Sequence, residues 1–557
     1  MEMNKEGQML DTIKRAVIPV TALALSVLAI ALAWINPAWL WLLVVTLPIV
    51  ALGLYDRHQK TWTITRNYPV AGRIRWLFYK LRPYLHTYIV EDDLTGTPYS
   101  FDARNLVHAR ARGWTDTVPF GTERDTNANN YHWLMHSIAP EDHPESNPRV
   151  HVGNSQTAQP YSASVLNVSA MSFGSLSANA IQALNIGAKR GNYYHDTGEG
   201  GVSDHHTKHG GDLVWELGSG YFGARTKDGS FDPAMFRDTA QRDQVKMTEI
   251  KLSQGAKPGH GGMLPGAKVT AEIARVRGIE QGKDCLSPRG HRAFSTPIEM
   301  LEFAGQMREL SGGKPVGLKL CIGQPYEVFA IMKAILQTGI RPEFIVVDGG
   351  EGGTGAAPVE LSDWVGMPLT EGLILMRNAL VGCGLKDDIK LAGSGKIYSG
   401  MGLAHNIALG ADWCNAARSF MMSVGCIQSQ RCHLDTCPTG VATQNAARQR
   451  GLIPEVQGIR SARFQQKTVD ALIDMVAAAG LKHPCELQPH HLMHRVGPEA
   501  ALPMDLIHSF LPEKILNEAP EDTLYSDWWA AAQPGSFDPA TDLVRRRAKK
   551  NQNVALS

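Results

Sequence analysis

Beyond about residue 160, short β-rich runs closed by glycine, serine or proline alternate with helical stretches, and no other feature of the chain limits its fold as tightly. The candidate strands lie at 165–170, 193–197, 248–252, 285–287, 316–321, 344–347, 389–392 and 413–416, eight in number. Helical patterns run between them at 177–190, 267–277, 297–310, 327–338 and 399–409. Strand and helix in alternation are the sequence form of a parallel sheet, because each parallel pair needs a crossover that a helix supplies. Eight units predict an α/β fold, a TIM-type (β/α)8 barrel. A doubly wound open sheet would alternate in a similar way.

The placement of the unusual residues favours the barrel. Nearly every run is followed by glycine-rich or polar text: MSFGS at 171–175, TGEGG at 197–201, SQGAKPGHGG at 253–262, SPRGH at 287–291, DGGEGGTGAAP at 348–358 and GSGK at 393–396. In a β/α barrel such loops open on one face, where active sites are built. The stretch 202–245 is too long for a simple loop and is read as an insert with small elements of its own.

Composition mainly excludes. With 55 basic against 54 acidic residues and a formal charge of +1, the chain has no electrostatic footprint for nucleic acid, and none is expected as a partner. At 43% hydrophobic and 20% charged it is neither disordered nor fibrous. Eight cysteines in 557 residues are too few for a disulfide scaffold, so their spacing is read for metal or redox chemistry.

The mean hides an uncharged run over 16–55, about twice what one helix needs to cross a bilayer. It reads as a transmembrane helical hairpin with spans at 17–34 and 39–55, Asn36-Pro37 as the turn, and Trp34, Trp39 and Trp41 at belt depth. Lys14 and Arg15 precede the pair; Arg57, His58 and Lys60 follow it. Positive flanks at both outer ends favour a hairpin with both ends in the cytoplasm, so the rest of the chain is expected on the cytoplasmic side of the inner membrane. The rival readings are a cleaved signal peptide and a buried apolar hairpin. The next stretch, 66–82, mixes Arg73, Arg75, Lys80 and Arg82 with Trp76, Phe78 and Tyr79, and reads either as an interfacial segment on an anionic surface or as a solvated helix. The chain divides into an anchor at 1–60, a lead-in at 61–160, the barrel at 161–450, and an extension at 451–557 that is helical by the pattern of VDALIDMVAAAG at 469–480.

The strongest local signal is Cys426, Cys432 and Cys437, the last followed by Pro438, within GCIQSQRCHLDTCPTGVATQ at 425–444. Three thiols this close can converge on one iron–sulfur cluster; zinc and plain packing are the alternatives. Three ligands suit a 3Fe-4S cluster, or a 4Fe-4S cluster with one ligand of another kind. Cys285, Cys321, Cys383 and Cys414 read as small buried apolar residues. His205, His206 and His209 invite a metal reading, but a hydrogen-bonding role is favoured. The glycine runs at 259–262 and 349–355 lack the strand–GxGxxG–helix context of a dinucleotide loop.

SAMSFGSLS at 169–177, TGEGG at 197–201, EIKLSQGAKPGHGGMLPG at 249–266, VGLKL at 316–320, DGGEGGTGAAP at 348–358 and the cysteine segment, in that order, closely resemble the synthase domain of the glutamate synthase family. The match covers roughly half of the chain, about 164–448. The resemblance implies a barrel that binds FMN, with a 3Fe-4S cluster on Cys426, Cys432 and Cys437 beside it. It also implies reduction of 2-iminoglutarate, formed from 2-oxoglutarate and ammonia, by hydride from reduced FMN. On that reading Lys319 is the cation near the flavin N1 and O2. Gly393, Ser394 and Gly395, with Asn415, Ala416 and Arg418 at the last strand, form the phosphate site, Arg418 as a clamp. Ser169, Ala170, Met171 and Ser172 meet the ring, and Gly353 and Thr354 belong to the same cofactor site. Lys251, Gln254 and Lys257 anchor the carboxylates of a 2-oxoglutarate-like substrate, and Glu199 handles ammonia or protons.

Full members of that family carry a glutaminase domain ahead of the barrel and a glycine-rich β-helix after it, and neither pattern is found; the first cysteine is Cys285. No nicotinamide-domain pattern is present. Ammonia is therefore expected from solution or a separate subunit, and electrons from a ferredoxin or a separate reductase. The segment 66–125, with RNYPVAGRIR and TVPFGTERD, resembles the lead-in of short, membrane-tethered members. Two other functions are carried forward: a membrane-tethered flavin and iron–sulfur electron-transfer module, and an N-alkylglutamate synthase that uses an amine in place of ammonia.

Overall fold

Eight parallel strands close on themselves in sequential order: β1 (Leu166–Val168), β2 (His195–Asp196), β3 (Leu213–Leu217), β4 (Val245–Lys251), β5 (Val316–Leu320), β6 (Phe344–Asp348), β7 (Lys390–Ser394) and β8 (Trp413–Ala416). The computed structural model describes residues 14–540. The barrel is the TIM-type α/β architecture that the alternation predicts, but its membership differs at one place. The third strand is Leu213–Leu217, inside the stretch read as an insert, and the segment at 285–287 is not a barrel strand. Cys285–Leu286 instead pairs antiparallel with Met263–Leu264, a small hairpin within the loop that follows β4. The two exchange for a physical reason. Strand β3 reads LVWEL, all five residues buried, and its glutamate interrupts an apolar run because it faces charged partners inside the barrel. The CLSPRG text imitates a strand and its loop, yet its leucine is exposed.

The helices form where their ends are capped. Ser177 accepts from the N–H of Ala180 to start Ala178–Gly191, Thr296 accepts from Glu299 ahead of Pro297–Leu310, and Ser399 accepts from Gly402 ahead of Gly400–Ala408. Pro297 at the first helical position costs nothing, since its missing N–H would have had no partner there. In the barrel floor Tyr194, Val214, Met247, Phe344, Val346, Ala392 and Trp413 pack as one buried cluster. Its polar tips are satisfied: Trp413 Nε1 donates to the Tyr194 hydroxyl at 2.8 Å, which donates to Asn415 Oδ1 at 2.6 Å.

After residue 450 the long helix Pro454–Ala478 packs on Ala178–Gly191, with the hydroxyls of Tyr193 and Ser461 2.9 Å apart at their contact. The remaining chain is not purely helical. Leu492–Gly497 and Ala500–Pro503 join His132–Leu134 in an antiparallel sheet.

The contacts divide the chain after Phe101 into two units. In the first, α1 (Val17–Leu32) and α2 (Leu43–His58) are joined by a tight turn in which the Asn36 side chain accepts from Ala38 N. Ser26 Oγ donates to Thr46 Oγ1 at 2.7 Å across the pair. By length and composition the stretch Pro37–His58 is long and apolar enough to cross a membrane; Val17–Leu32 is apolar but shorter. A further helix, α3 (Gly72–Leu85), ends in a π-helical turn at His86–Val90.

Candidate active site

Inside the barrel, above the aromatic floor, charge is concentrated. Register sets Glu216 of β3 beside Glu249 of β4, and Lys251 of β4 beside Lys319 of β5. Asp196 of β2 completes the group: ligand oxygens of Asp196, Glu216 and Glu249 all lie within 4.8 Å of one another. That trio already holds a cation. The Lys319 ammonium sits 2.6 Å from Glu216 Oε2 and 4.0 Å from Glu249 Oε1. Burial, then the charge of Glu216, pushes the Asp196 carboxyl up to about 7. Burial, then Asp196, drives Glu249 well above the carboxylate range. Glu249 holds its proton at neutral pH and Asp196 is about half protonated there, so the cluster avoids three unscreened negative charges in one cavity. The Lys319 ammonium is correspondingly held charged: burial opposes this, and Glu216, Asp196, Glu249 and Asp348 outweigh it.

Toward the mouth the charges continue as a chain. Lys251 Nζ lies 3.8 Å from Glu216 Oε1, 3.3 Å from Glu199 Oε1, and donates to Gln254 Oε1 at 2.7 Å. Burial raises the Glu199 carboxyl, but Lys251, Lys257 and Arg277 together leave it below its ordinary value, so it stays ionised. Lys257 is 3% exposed, donates to Ala356 O at 2.9 Å, and is lowered by burial to about 8. The four residues expected at the substrate therefore come together at the C-terminal end of β2 and β4, as one patch with two ammonium groups, an ionised carboxylate and an amide. His291 Nε2 donates to Lys251 O at 2.9 Å, its Nδ1 faces Tyr221 OH at 3.2 Å, and burial lowers the ring to about 4, which keeps it neutral.

The residues expected at a flavin lie around the same mouth. Ser169 N donates to Ala416 O, and its hydroxyl is 3.3 Å from that of Ser394 at the end of β7. Ala170, Met171 and Ser172 lead away from β1, and Gly198, at φ 64, packs so closely on them that a Cβ there would lie 2.7 Å from Ser172 N. Gly393 is buried within β7 and Gly395 follows it. The N–H groups of Gly395 and Lys396 make no hydrogen bond among the described residues, a donor pair that suits a phosphate. The Arg418 guanidinium lies across Gly353 and donates to Glu351 O at 2.7 Å, joining the loop after β6 to the end of β8. Thr354 is exposed in that loop. Asn415 turns its side chain down to Tyr194, away from the mouth. Serine hydroxyls, unspent N–H groups and the Arg418 and Lys396 cations fit FMN.

The cysteine loop is held in unusual backbone. Gln428, Gln430 and Asp435 are left-handed at φ 57, 54 and 57, conformations that cost energy in non-glycine residues. Burial pushes the Cys426 thiol up to about 12 and raises Cys432, so both favour the neutral thiol unless a metal displaces the proton. Burial also raises Cys437, but the Thr439 hydroxyl and the N–H groups of Ala442, Thr439 and Val441 outweigh it and lower the thiol. These donors suit a Cys437 sulfur that carries charge. Lys268 lies buried beside them, its ammonium donating to Ser175 O at 2.7 Å and to Cys432 O and Ala442 O at 3.4 Å.

The family model described as the conserved region in glutamate synthase matches residues 131–482. The chain belongs to the glutamate synthase family. It is 34% identical over 513 residues to the glutamate synthase large subunit-like protein YerD of Bacillus subtilis, an alignment covering 84% of this chain and 97% of that protein. To the archaeal glutamate synthase (NADPH) of Methanocaldococcus jannaschii it is 31% identical over 312 residues, 56% of this chain and 58% of that one. Against the glutamate synthase (NADPH) large chain of Bacillus subtilis the identity is 32% over 282 residues, half of this chain and 17% of that one. Its class is that of the family, a glutamate synthase-type oxidoreductase.

Several site residues escape sequence reasoning. Asp196, Glu216 and Glu249 lie in strands and look like interruptions of apolar runs; Arg277 ends a helix, yet its guanidinium donates to Ser172 Oγ and Phe173 O at 3.1 Å. A charged residue in the middle of a fully buried strand was the available signal. The histidines resolve as hydrogen-bonding residues: His206 Nδ1 meets Ser203 Oγ at 2.8 Å, His205 pairs with Glu272 at 2.9 Å, and His209 meets Gln182 at 3.2 Å.

Proposed function

We propose that the chain reduces 2-iminoglutarate, formed from 2-oxoglutarate and ammonia, to L-glutamate, with FMN at the barrel mouth and a 3Fe-4S cluster on Cys426, Cys432 and Cys437. The observation that carries the reading is the Glu199–Lys251–Gln254–Lys257 patch, in which an ionised carboxylate stands between two ammonium groups. When bound, FMN supplies the hydride and the cluster supplies single electrons. The chain's own residues do the rest. Ser169, Ala170, Met171 and Ser172 line the ring, with Lys319 as the buried cation beneath it, while Gly353, Thr354, Gly393, Ser394, Gly395, Ala416 and Arg418 take the phosphate end. Lys251 and Lys257 hold the two carboxylates of the oxo acid, and Gln254 orients Lys251. Glu199 accepts a proton from ammonium or returns one to the reduced nitrogen. Electrons come from a separate ferredoxin or reductase, and ammonia from solution or a separate subunit.

We also propose that α1 and α2 anchor the chain in the inner membrane as a hairpin, with the barrel in the cytoplasm; the apolar stretch Pro37–His58 supports this. Anaerobic turnover of the purified protein with reduced methyl viologen, 2-oxoglutarate and ammonium, glutamine or methylamine tests the reaction. Glutamate from ammonium is the expected result. N-methylglutamate alone would transfer the site to an amine, and flavin reoxidation only by an added protein would make the chain an electron-transfer module. Retention in the pellet after alkaline carbonate extraction is the expected result for the hairpin, and release would overturn it.

A further inference from the structure

Between Asp56 and Glu91 the chain carries Arg57, Lys60, Arg66, Arg73, Arg75, Lys80 and Arg82 and no acidic residue, although basic and acidic residues in the whole chain number 55 and 54. Arg73 is committed: its guanidinium lies 2.6 Å from Oδ1 of Asp56, whose side chain is fully buried. That pair, with Val70 N donating to Asp56 Oδ2 at 2.9 Å, ties the start of α3 to the last turns of α2. It fixes α3 at the level where α2 ends. Arg75 and Arg82 make no ion pair among the described residues. Seven residues apart, they share a helix face. With Phe78, Tyr79, Leu85 and His86 they line an open groove of about 470 Å³. Val90 also lines it, and outside the groove the helix and its π turn expose Ile74, Leu77, Tyr84, Tyr88 and Ile89.

Apolar exposure of this extent marks an interaction surface. A partner protein of acidic character would match the charge but would cover a single face, whereas apolar side chains are exposed all round this helix. Cations on long aliphatic stems interleaved with tyrosine, tryptophan and phenylalanine are the composition of a bilayer boundary. We propose that α3 and its groove are a binding site for anionic phospholipid: Arg75 and Arg82 take the headgroup phosphate, and Phe78, Tyr79 and Leu85 take the glycerol and upper acyl region. The site rests on the membrane reading of α1 and α2, since only that reading places α3 at a headgroup layer.

Hydrogen exchange of the full chain tests it, in nanodiscs of phosphatidylcholine alone, in nanodiscs in which part of that lipid is replaced by phosphatidylglycerol, and in detergent with inorganic phosphate. The amides of 72–85 are expected to exchange roughly twenty-five-fold more slowly in the anionic discs than in the neutral ones, from a factor of about five for each of two cations near the surface. The doubly substituted Arg75→Gln, Arg82→Gln chain is expected to lose that difference while its barrel amides stay protected, and phosphate in detergent to give no protection. Equal exchange in both kinds of disc, with α1 and α2 protected in each, would overturn the lipid site and leave the hairpin standing. Protection by phosphate alone would overturn it in favour of a simple anion site. Free exchange of α1 and α2 in both discs would overturn the membrane reading, and the site with it.

Discussion

The ammonium of Lys319 lies 2.6 Å from Oε2 of Glu216, and the two side chains are 5% and 1% exposed, so neither charge has water to fall back on. Taking away one partner of such a pair is far more costly than replacing both. Lys319→Met leaves buried Glu216 without its partner beside Asp196 and Glu249, and is expected to destabilise the protein by about 3–5 kcal/mol. Urea denaturation of the purified chain measures it, and an unchanged midpoint would show that the pair does not stabilise the fold.

Asp196 gives a pH signature of the opposite sign to an ordinary carboxylate. Its folded value of about 7 stands above the 3.8 of the unfolded chain, so between those values the folded state binds more protons. Stability therefore falls as pH rises through that window. Asp196→Asn is expected to flatten the decline; a variant whose midpoint falls as steeply as the parent's would assign the decline to other groups.

On the proposed reaction, Lys257 sets the upper limb of activity. Held at about 8, it loses its charge as pH rises past that value and can no longer hold a carboxylate. The kcat/KM for 2-oxoglutarate should fall above about pH 8, and Lys257→Arg, which keeps its charge, should move that fall upward by more than a pH unit. The stability effect runs the other way: from 8 to 10.5 the unfolded chain binds the extra proton, so the fold gains.

Gly262 protects the geometry of Glu199. A Cβ built on it would stand 1.9 Å from Glu199 Oε1, so the carboxylate must swing away from Lys251. Gly262→Ala should cut kcat by about a hundredfold, the cost of an ångström-scale misplacement, with little change in thermal midpoint. Steady-state kinetics beside a melting curve separates the two effects.

The cysteine assignment has a built-in control. Cys432→Ser should abolish the visible absorption and low-temperature paramagnetic signal of the cluster, whereas Cys485→Ser, at an exposed position, should leave both unchanged. Loss of signal in both variants would point to general instability of the chain.

How far the sequence could be read depended on how local each signal was. Pro297–Leu310 was legible to the residue, since a threonine cap, a proline and an apolar stripe all lie within it. Strand β3 was not, because the residue that breaks its apolar pattern is explained by Lys319, more than a hundred positions away in sequence. The grouping of Glu199, Lys251, Gln254 and Lys257 was foreshadowed by TGEGG and SQGAKPG, whose loops carry three of them. Asp196 and Glu249 were illegible as site residues because burial first, and then the neighbouring carboxylates, raise them, and neither cause is visible in the local sequence. Asn415 sits at a strand end that faces the mouth, and its side-chain oxygen accepts from Tyr194 in the floor.

Lys268 joins three pieces of chain with one ammonium, since Ser175, Cys432 and Ala442 each give it a carbonyl. Any change of charge on the sulfurs is felt first by a cation whose shortest bond is to the loop after β1. The wall of the barrel mouth and the cysteine loop therefore share a fastener, and neither can loosen without the other registering the strain.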